Sequence, residues 1–123
     1  MLHVTKDWGT EQWIVNESTH CGKLLIVSPQ WQCSLHHHIE KDETFFVMRG
    51  PAVMQVEDIV VVAGYGESFR IPPGTKHRFA ALAFRVKLME FSSHHDDADV
   101  VRHEPTSRIT DDMKRRIRTF YDR

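Results

Sequence analysis

The sequence predicts an all-β fold, an antiparallel sandwich or jelly-roll barrel, followed by one short C-terminal helix. Three observations lead to this fold class. Short runs of β-branched and aromatic residues recur along most of the chain. Clusters of Gly, Pro, Ser and acidic residues separate these runs at close intervals. Helical patterns do not alternate with the runs, which favours antiparallel strands over a parallel βαβ sheet.

Nine segments are predicted to be strands, because each is rich in strand-forming residues and stops at a turn signal. In chain order they are 12–16, 23–27, 32–38, 44–48, 52–56, 59–62, 68–71, 77–80 and 84–91. Turn residues such as Gly64-Tyr65-Gly66 and Pro72-Pro73-Gly74 lie between them. The chain therefore folds back on itself many times within a short length.

The end of the chain predicts the helix. Thr110 is a suitable N-cap, and the two acidic residues after it complement the positive end of the helix dipole. Met113, Ile117 and Phe120 then follow at helical spacing, so one face is apolar and is expected to pack on the barrel. The basic residues between them are expected to form a solvated face.

Composition agrees with one compact domain and excludes several partners. The 123 residues are expected to form a single domain, with a core at about 12–91 and a tail and helix at 92–123. The 16 basic and 17 acidic residues give a net charge of −1 without a basic stripe, so nucleic acid is not an expected partner. The longest apolar run, 59–63, is too short to cross a membrane. A cytoplasmic location is expected, with Cys21 and Cys33 as reduced, buried thiols.

Four residues could bind one divalent metal ion. Successive side chains of a strand point to opposite faces, so His36 and His38 share a face and His37 points away. Glu43 opens the next predicted strand, and His77 opens a later one. Three imidazoles and a carboxylate on rigid strands are a donor set for such an ion. The alternative is a solvated histidine run, although this run lies between apolar strand residues.

These residues also carry a resemblance to a known family. Residues 36–50 contain His-x-His, four residues, Glu, six residues and Gly, and residues 66–77 contain Gly, five residues, Pro-x-Gly, two residues and His. In both respects the chain resembles the cupins, although Gln30 and Ala81 replace a usual Gly and Asn. The resemblance implies a double-stranded jelly-roll barrel with one Mn, Fe, Zn, Ni or Co ion on His36, His38, Glu43 and His77.

Other stretches resemble sugar-processing cupins. Residues 6–13, 21–23, 34–38, 88–91 and 96–102 are similar to the cupin domain of type II mannose-6-phosphate isomerases, and the chain also resembles cupin D-lyxose isomerases. The resemblance implies a sugar or sugar-phosphate ligand and an aldose–ketose isomerase that acts through a cis-enediol. Two alternatives remain open: a non-catalytic sugar-binding or regulatory cupin, and an Fe-dependent dioxygenase.

Strand alternation selects candidate residues around the metal. Glu90 is expected to face the barrel interior as a general base with a raised pKa, or else as a structural partner of an arginine. Lys41 shares a face with Glu43 if the chain is extended there, and it is then expected to bind a substrate hydroxyl or phosphate or to assist proton transfer. The alternative is an exposed lysine. The predicted substrate-binding residues are Gln32, Ser34 and Lys23.

Two further expectations concern the surface. His94 and His95 are assigned to a solvated loop in preference to a second metal site. From the alternation of side chains along the strands, four apolar side chains are predicted to point away from the metal and to form a patch on the outer surface. An exposed apolar patch of this kind favours a homodimer. These side chains are Cys33, Leu35, Phe46 and Met48.

Overall fold

The computed structural model describes residues 1–122 and contains two antiparallel sheets that face each other, with one helix packed outside the second sheet. The strands are β1 (Leu2–Lys6), β2 (Gly9–Asn16), β3 (Cys21–Val27), β4 (Trp31–Gln32), β5 (Leu35–His37), β6 (Glu43–Arg49), β7 (Ala52–Val56), β8 (Ile59–Ala63), β9 (Ser68–Ile71), β10 (His77–Ala81), β11 (Val86–Ser92), β12 (Val101–Glu104) and β13 (Ser107–Arg108). The helix is α1 (Asp111–Asp122). The predicted all-β class with a C-terminal helix is confirmed.

Strand pairing brings distant parts of the chain together. The first sheet has the order β1-β2-β3-β11-β6-β9, so β11 pairs with both β3 and β6. In the second sheet β10 pairs with β7 on one side and with β4 and β5, placed end to end, on the other. β12 and β13 extend this sheet beyond β5 and β4, and β8 extends it beyond β7.

The apolar core lies between the two sheets. Leu25, Val47 and Leu88 from the first sheet pack against Phe79 from the second, and all four are buried. Trp8, from the turn between β1 and β2, packs edge-on against Phe79 with 4.9 Å between the ring centroids. Burial of these large side chains provides most of the driving force for closing the two sheets on each other.

A second apolar cluster attaches the helix. Met113 and Ile117 are buried against Val53 and Ala80 on the outer face of the second sheet, together with Ile109. The helix thus covers one face of this sheet with its apolar side, as the spacing of its residues predicts. No helix among residues 1–122 is long and apolar enough to cross a membrane.

The start of the helix allows a stability prediction. The amide of Met113 donates a hydrogen bond to Thr110 Oγ1 at 3.1 Å, which is the geometry of an N-cap. We expect Thr110→Ala to lower the free energy of unfolding by about 1 kcal/mol, because this amide then loses its partner. Urea unfolding followed by circular dichroism measures this difference.

Thr119→Ala is the matched control for this variant. The hydroxyl of Thr119 donates to the carbonyl of Arg115 in the middle of the same helix, where that carbonyl is exposed. We expect Thr119→Ala to change stability by no more than about 0.5 kcal/mol, because alanine has the higher helix propensity. An effect of Thr110→Ala no larger than that of Thr119→Ala would contradict the capping role.

The predicted strand 32–38 is interrupted, and several predicted orientations are wrong for this reason. Gln32 pairs with Ala80, and His36 pairs with His77. The segment from Gln32 to His36 therefore advances four residues, while β10 advances only three between the same two pairings. The extra residue is a bulge, which reverses side-chain alternation on one side of it. Cys33, predicted to point away from the cavity, therefore packs in the core.

The two cysteines are free and buried, as predicted. Cys33 Sγ accepts a hydrogen bond from the Phe79 amide at 3.3 Å. Burial raises the pKa of the Cys33 thiol to about 12, and burial also raises the pKa of the Cys21 thiol. Both therefore remain protonated at neutral pH, and the structure gives them a packing role.

The remaining differences from the predicted elements lie at strand ends and sheet edges. β1, β12 and β13 were not predicted, because these segments are mostly exposed and show no regular alternation of apolar residues. The last long strand was predicted to begin at residue 84 but begins at Val86, and Phe84 is 72% exposed. Gln30 has a φ of 67°, a left-handed conformation that Gly adopts without strain, which fits the Gly that the resemblance leads us to expect at this position.

Candidate metal centre and adjoining cavity

Three histidines meet between the sheets. The ring centroids of His36 and His77 lie 4.5 Å apart, and that of His38 lies 5.1 Å from the first and 5.7 Å from the second. One nitrogen from each ring lies within 4.8 Å of the others. The pairing of β5 with β10 places His36 directly opposite His77. His37 points out of the barrel and stacks on His103.

Backbone carbonyls orient all three rings in the same way. The Nδ1 atoms of His36, His38 and His77 lie 2.8, 2.7 and 2.9 Å from the carbonyl oxygens of Ser34, Asp99 and Thr75, respectively. A carbonyl can only accept a hydrogen bond, so each Nδ1 carries the proton and donates. Each Nε2 then has its lone pair available, which is the usual arrangement of a metal-binding histidine.

Glu43 brings a carboxylate to the same point. Its Oε2 lies 3.4 Å from His38 Nε2 and 3.6 Å from His77 Nε2. Both Glu43 Oε2 and His77 Nε2 are buried and have no hydrogen-bond partner among residues 1–122. A buried polar atom without a partner costs about 1–3 kcal/mol, a cost that a bound cation would remove.

The protonation of the histidines also fits a metal ion. Burial lowers the pKa of His36 to about 3, with a further contribution from the nearby His77. Burial likewise lowers the pKa of His38. Neutral imidazoles are the form that binds a metal. Three nitrogens and one oxygen suit Mn, Fe, Co, Ni or Zn, and donor type does not choose among them.

A cavity of about 390 Å³ adjoins this cluster. Its apolar walls are formed by buried side chains of the core, among them Trp8, Leu25, Phe45 and Phe79. Its polar groups include Glu11, Lys23, Ser34, Lys41, Glu90, His95 and Arg102. This volume and this mixture of walls and fixed charges suit a small polar ligand.

A buried ion pair lies in the cavity wall. Lys41 Nζ lies 2.6 Å from Glu90 Oε2, and the two side chains are only 2% and 5% exposed. Lys41 Nζ also lies 2.9 Å from His95 Nδ1, and His95 Nε2 lies 2.7 Å from Asp97 Oδ1. A continuous chain of polar contacts therefore connects buried Glu90 with the exposed carboxylate of Asp97.

The predicted pKa of Glu90 is corrected by this pair. Burial favours the protonated acid, but the charges of Lys41 and Lys23 and a hydrogen bond from Lys41 hold the pKa of Glu90 below its usual value. Burial likewise favours neutral Lys41, yet the carboxylates of Glu90 and Glu43 raise its pKa. The expected raised pKa of Glu90 is therefore wrong, because its partner is an ammonium group.

The three predicted substrate-binding residues separate into two groups. Lys23 and Ser34 line the cavity, and Lys23 Nζ lies 3.3 Å from Glu11 Oε1 and 4.2 Å from the centre of the Trp13 ring. Gln32 lies outside the cavity, where its Nε2 donates to Ser107 Oγ at 3.3 Å. Its predicted inward orientation is wrong because the bulge lies between Gln32 and His36.

His95 and Arg102 are among the cavity residues that sequence reasoning missed. His95, assigned to a solvated loop, is held by Asn16, which bonds both its amide and its carbonyl. Arg102 lies on β12 directly opposite His36. Residues 94–102 resemble an ordinary polar loop because His95 depends on Asn16 of β2 and Arg102 depends on pairing with β5, and neither contact leaves a local pattern.

The chain matches known proteins in sequence. Residues 23–88, more than half of the chain, match the family model described as the cupin domain. The chain is 26% identical over 112 residues to a mannose-1-phosphate guanylyltransferase of Sinorhizobium fredii (strain NBRC 101917 / NGR234), covering 87% of this chain and 22% of that protein. It is 29% identical over 83 residues to the uncharacterized protein YdbB of Bacillus subtilis (strain 168), covering 67% and 69%.

Solved structures share the fold. CapF, a capsular polysaccharide assembling protein from Staphylococcus aureus, has a TM-score of 0.72 and 20% identity, covering 84% of this chain and 31% of that one. KdgF from Halomonas sp. has a TM-score of 0.67 and 17% identity, covering 72% and 81%. Oxalate decarboxylase from Lactobacillus farciminis has a TM-score of 0.72 and 16% identity, covering 82% and 33%. The predicted jelly-roll barrel is thus confirmed.

Proposed function

Because this chain belongs to the cupin family, we propose that it is a metal-dependent enzyme that interconverts an aldose and a ketose through a cis-enediol. The observation that carries the proposal is the buried pair Lys41–Glu90 in the cavity that adjoins the three histidines. Such a pair offers a carboxylate base and a hydrogen-bond donor side by side. The names of two similar proteins, the guanylyltransferase and CapF, refer to carbohydrates, which supports a sugar or sugar phosphate as substrate.

The metal site is the first part of the proposed mechanism. We propose that His36, His38, His77 and Glu43 hold one divalent ion, for which their unprotonated nitrogens and buried carboxylate are suitable donors. When bound, the ion would supply a Lewis acid for the sugar oxygens at C1 and C2.

The protein side chains carry the proton transfers of the proposed mechanism. Glu90, kept ionised by Lys41, accepts the proton from C2 of the aldose and returns it to C1 of the enediol. Lys41 donates a hydrogen bond to the oxygen at C1 and passes the hydroxyl proton from O2 to O1, so that all atoms balance. The aromatic walls formed by Trp8 and Phe45 exclude water from the reacting carbons.

Exchange of the C2 proton with solvent tests this function. We expect the metal-loaded protein to form ketose and to exchange the C2 proton in D₂O with at least one of D-mannose, D-mannose 6-phosphate and D-lyxose, as measured by NMR. Glu90→Gln should lower the rate by about 10²- to 10⁴-fold, the usual contribution of a general base. Glu40→Gln, which changes an exposed acid next to Lys41, is the control and should have full activity.

The alternative functions give different results in the same experiment. A sugar that binds without C2 exchange or ketose formation would contradict the isomerase and identify a sugar-binding cupin. Oxygen consumption by the Fe-loaded protein would instead identify a dioxygenase. Both results are measured on the same protein preparation, so one series of assays separates the three functions.

Assembly and location stay predictions. The proposed homodimer would use the outer face of the first sheet, where Met48 is 44% and Phe91 is 54% exposed. The predicted patch is corrected, because Cys33 and Leu35 are buried and only Phe46 and Met48 remain on the outside. One cupin domain over 1–123, the cytoplasmic location and the exclusion of nucleic acid and membrane also stay predictions.

A further inference from the structure

We propose that Arg102 binds an anionic substituent of the substrate, either a phosphate or a carboxylate, at the open end of the cavity. This inference rests on the proposed function in one respect, namely that the ligand is a sugar derivative. It goes beyond that function by specifying that the sugar carries an anionic group and that Arg102 recognises this group. The side chain of Arg102 lines the cavity and is exposed to solvent, so it can reach a ligand without rearrangement of the core.

Strand pairing determines the direction of the Arg102 side chain. Arg102 lies opposite His36 in the antiparallel pair of β12 and β5, and residues directly opposite each other project from the same face. Its neighbour His103 contacts His37 outside the barrel, with 2.8 Å between ring nitrogens. Arg102 therefore lies on the cavity side of β12, where it lines the cavity with His36, whereas His103 lies at the irregularity that follows and contacts His37.

The charge of Arg102 is not neutralised within the protein. Among residues 1–122 its guanidinium has neither an ion pair nor a hydrogen bond, in contrast to Lys23 and Lys41 in the same cavity. Asp7 also lines this cavity and makes no ion pair with Arg102.

The acidic residues near Arg102 in the chain have other partners. Asp96 accepts from the Ala98 amide, Asp97 pairs with His95, Asp99 accepts from the amides of Ile39, Glu40 and Lys41, and Glu104 pairs with Arg78. Lys6 and Arg102 are therefore the cavity cations without an ion pair within the described chain, and Arg102 is the one that lies directly opposite His36.

The chemistry of arginine identifies the kind of ligand group. A guanidinium presents a planar fork of donors that binds a phosphate or a carboxylate through two parallel hydrogen bonds. A neutral hydroxyl can accept a hydrogen bond from this fork, but it does not compensate the charge. The polar groups of the cavity wall would then hold the sugar chain, while the anionic group remains at the exposed end beside Arg102.

Binding of three related sugars to the metal-loaded protein tests the inference. D-mannose, D-mannose 6-phosphate and D-mannuronate are titrated by calorimetry into the wild type, Arg102→Gln and the control Arg118→Gln, which changes an exposed arginine of α1. We expect at least one charged sugar to bind about tenfold to hundredfold more tightly than mannose, the range for hydrogen bonds to a charged group. This preference should disappear in Arg102→Gln and persist in Arg118→Gln.

The outcomes separate the two ligand sources and the two proposals. A preference for the 6-phosphate identifies a phosphate, and a preference for mannuronate identifies a carboxylate. No preference for a charged sugar, no binding of any of the three, or an unchanged preference in Arg102→Gln would overturn the inference. Arg102-dependent binding without C2 exchange would uphold it and overturn the isomerase. Isomerisation together with no Arg102-dependent preference for either charged sugar would do the reverse.

Discussion

His36→Ala is expected to abolish metal binding, whereas His37→Ala leaves it unchanged. His36 presents its Nε2 to the candidate metal centre, while the adjacent His37 points outward and contacts His103. Changes to residues that merely orient metal ligands already cost about 10- to 100-fold in metal affinity, so loss of a ligand should cost at least about 100-fold. Elemental analysis of untagged protein purified without chelator, followed by calorimetric titration with Zn or Mn, measures this difference.

Two further measurements make this prediction stricter. Glu43→Gln should also lose the metal, and Glu40→Gln, an exposed change three residues earlier, should retain it. A chelator should lower the melting temperature of the wild type, because a metal at 100 times its dissociation constant stabilises the fold by about 2.7 kcal/mol. The chelator should not affect His36→Ala. Undiminished metal in both His36→Ala and Glu43→Gln would contradict the assignment of the centre.

Breaking the Lys41–Glu90 pair is expected to destabilise the protein strongly. Both side chains are almost fully buried, so Lys41→Met or Glu90→Leu leaves the other charge without its closest partner. Each single variant should lower the free energy of unfolding by about 3–5 kcal/mol, the usual cost of an unpaired buried charge. The double variant should recover most of this loss, because neither charge remains. Urea unfolding of the four proteins gives the coupling energy.

An exposed ion pair is the matched control for this cycle. Arg70 and Asp42 lie 2.9 Å apart at the surface, and such pairs contribute about 0–1 kcal/mol. The same cycle with Arg70→Gln and Asp42→Asn gives the coupling energy of the exposed pair. If the coupling energy between Lys41 and Glu90 is no greater than that value, burial does not strengthen the pair and the prediction is wrong. Because an apolar replacement of a buried pair is often neutral in stability, the presence of this pair beside the candidate metal centre favours a chemical role for it.

Local patterns in the sequence predicted the features that depend on local geometry. The common face of His36 and His38 follows from the alternation of side chains in a strand, which holds over the short distance between them. Glu90 faces the interior as predicted, because β11 alternates regularly between buried and less buried positions at Glu90 and before it. The helix also follows from local signals, namely the cap at Thr110 and the apolar spacing after it.

The predicted side-chain faces were wrong where strand alternation was assumed to continue across a bulge. Cys33 and Gln32 were given the wrong faces, because one extra residue between them and His36 cannot be recognised before the pairing with β10 is known. The pKa of Glu90 was expected to rise with burial. Its direction depends on Lys41, which a distant part of the chain brings to 2.6 Å from its carboxylate.

The sequence by itself determined the family, the two motifs that contain the candidate metal ligands, and the faces of side chains within regular strands. These features depend on residue spacing and on the geometry of neighbouring peptide units. Only the tertiary structure decided the partner of Glu90, the entry of His95 into the cavity and the position of Arg102 beside His36. The physical reason is that ion pairs and cavity walls form between strands far apart in the chain, and their energies depend on burial and on distances that spacing does not specify.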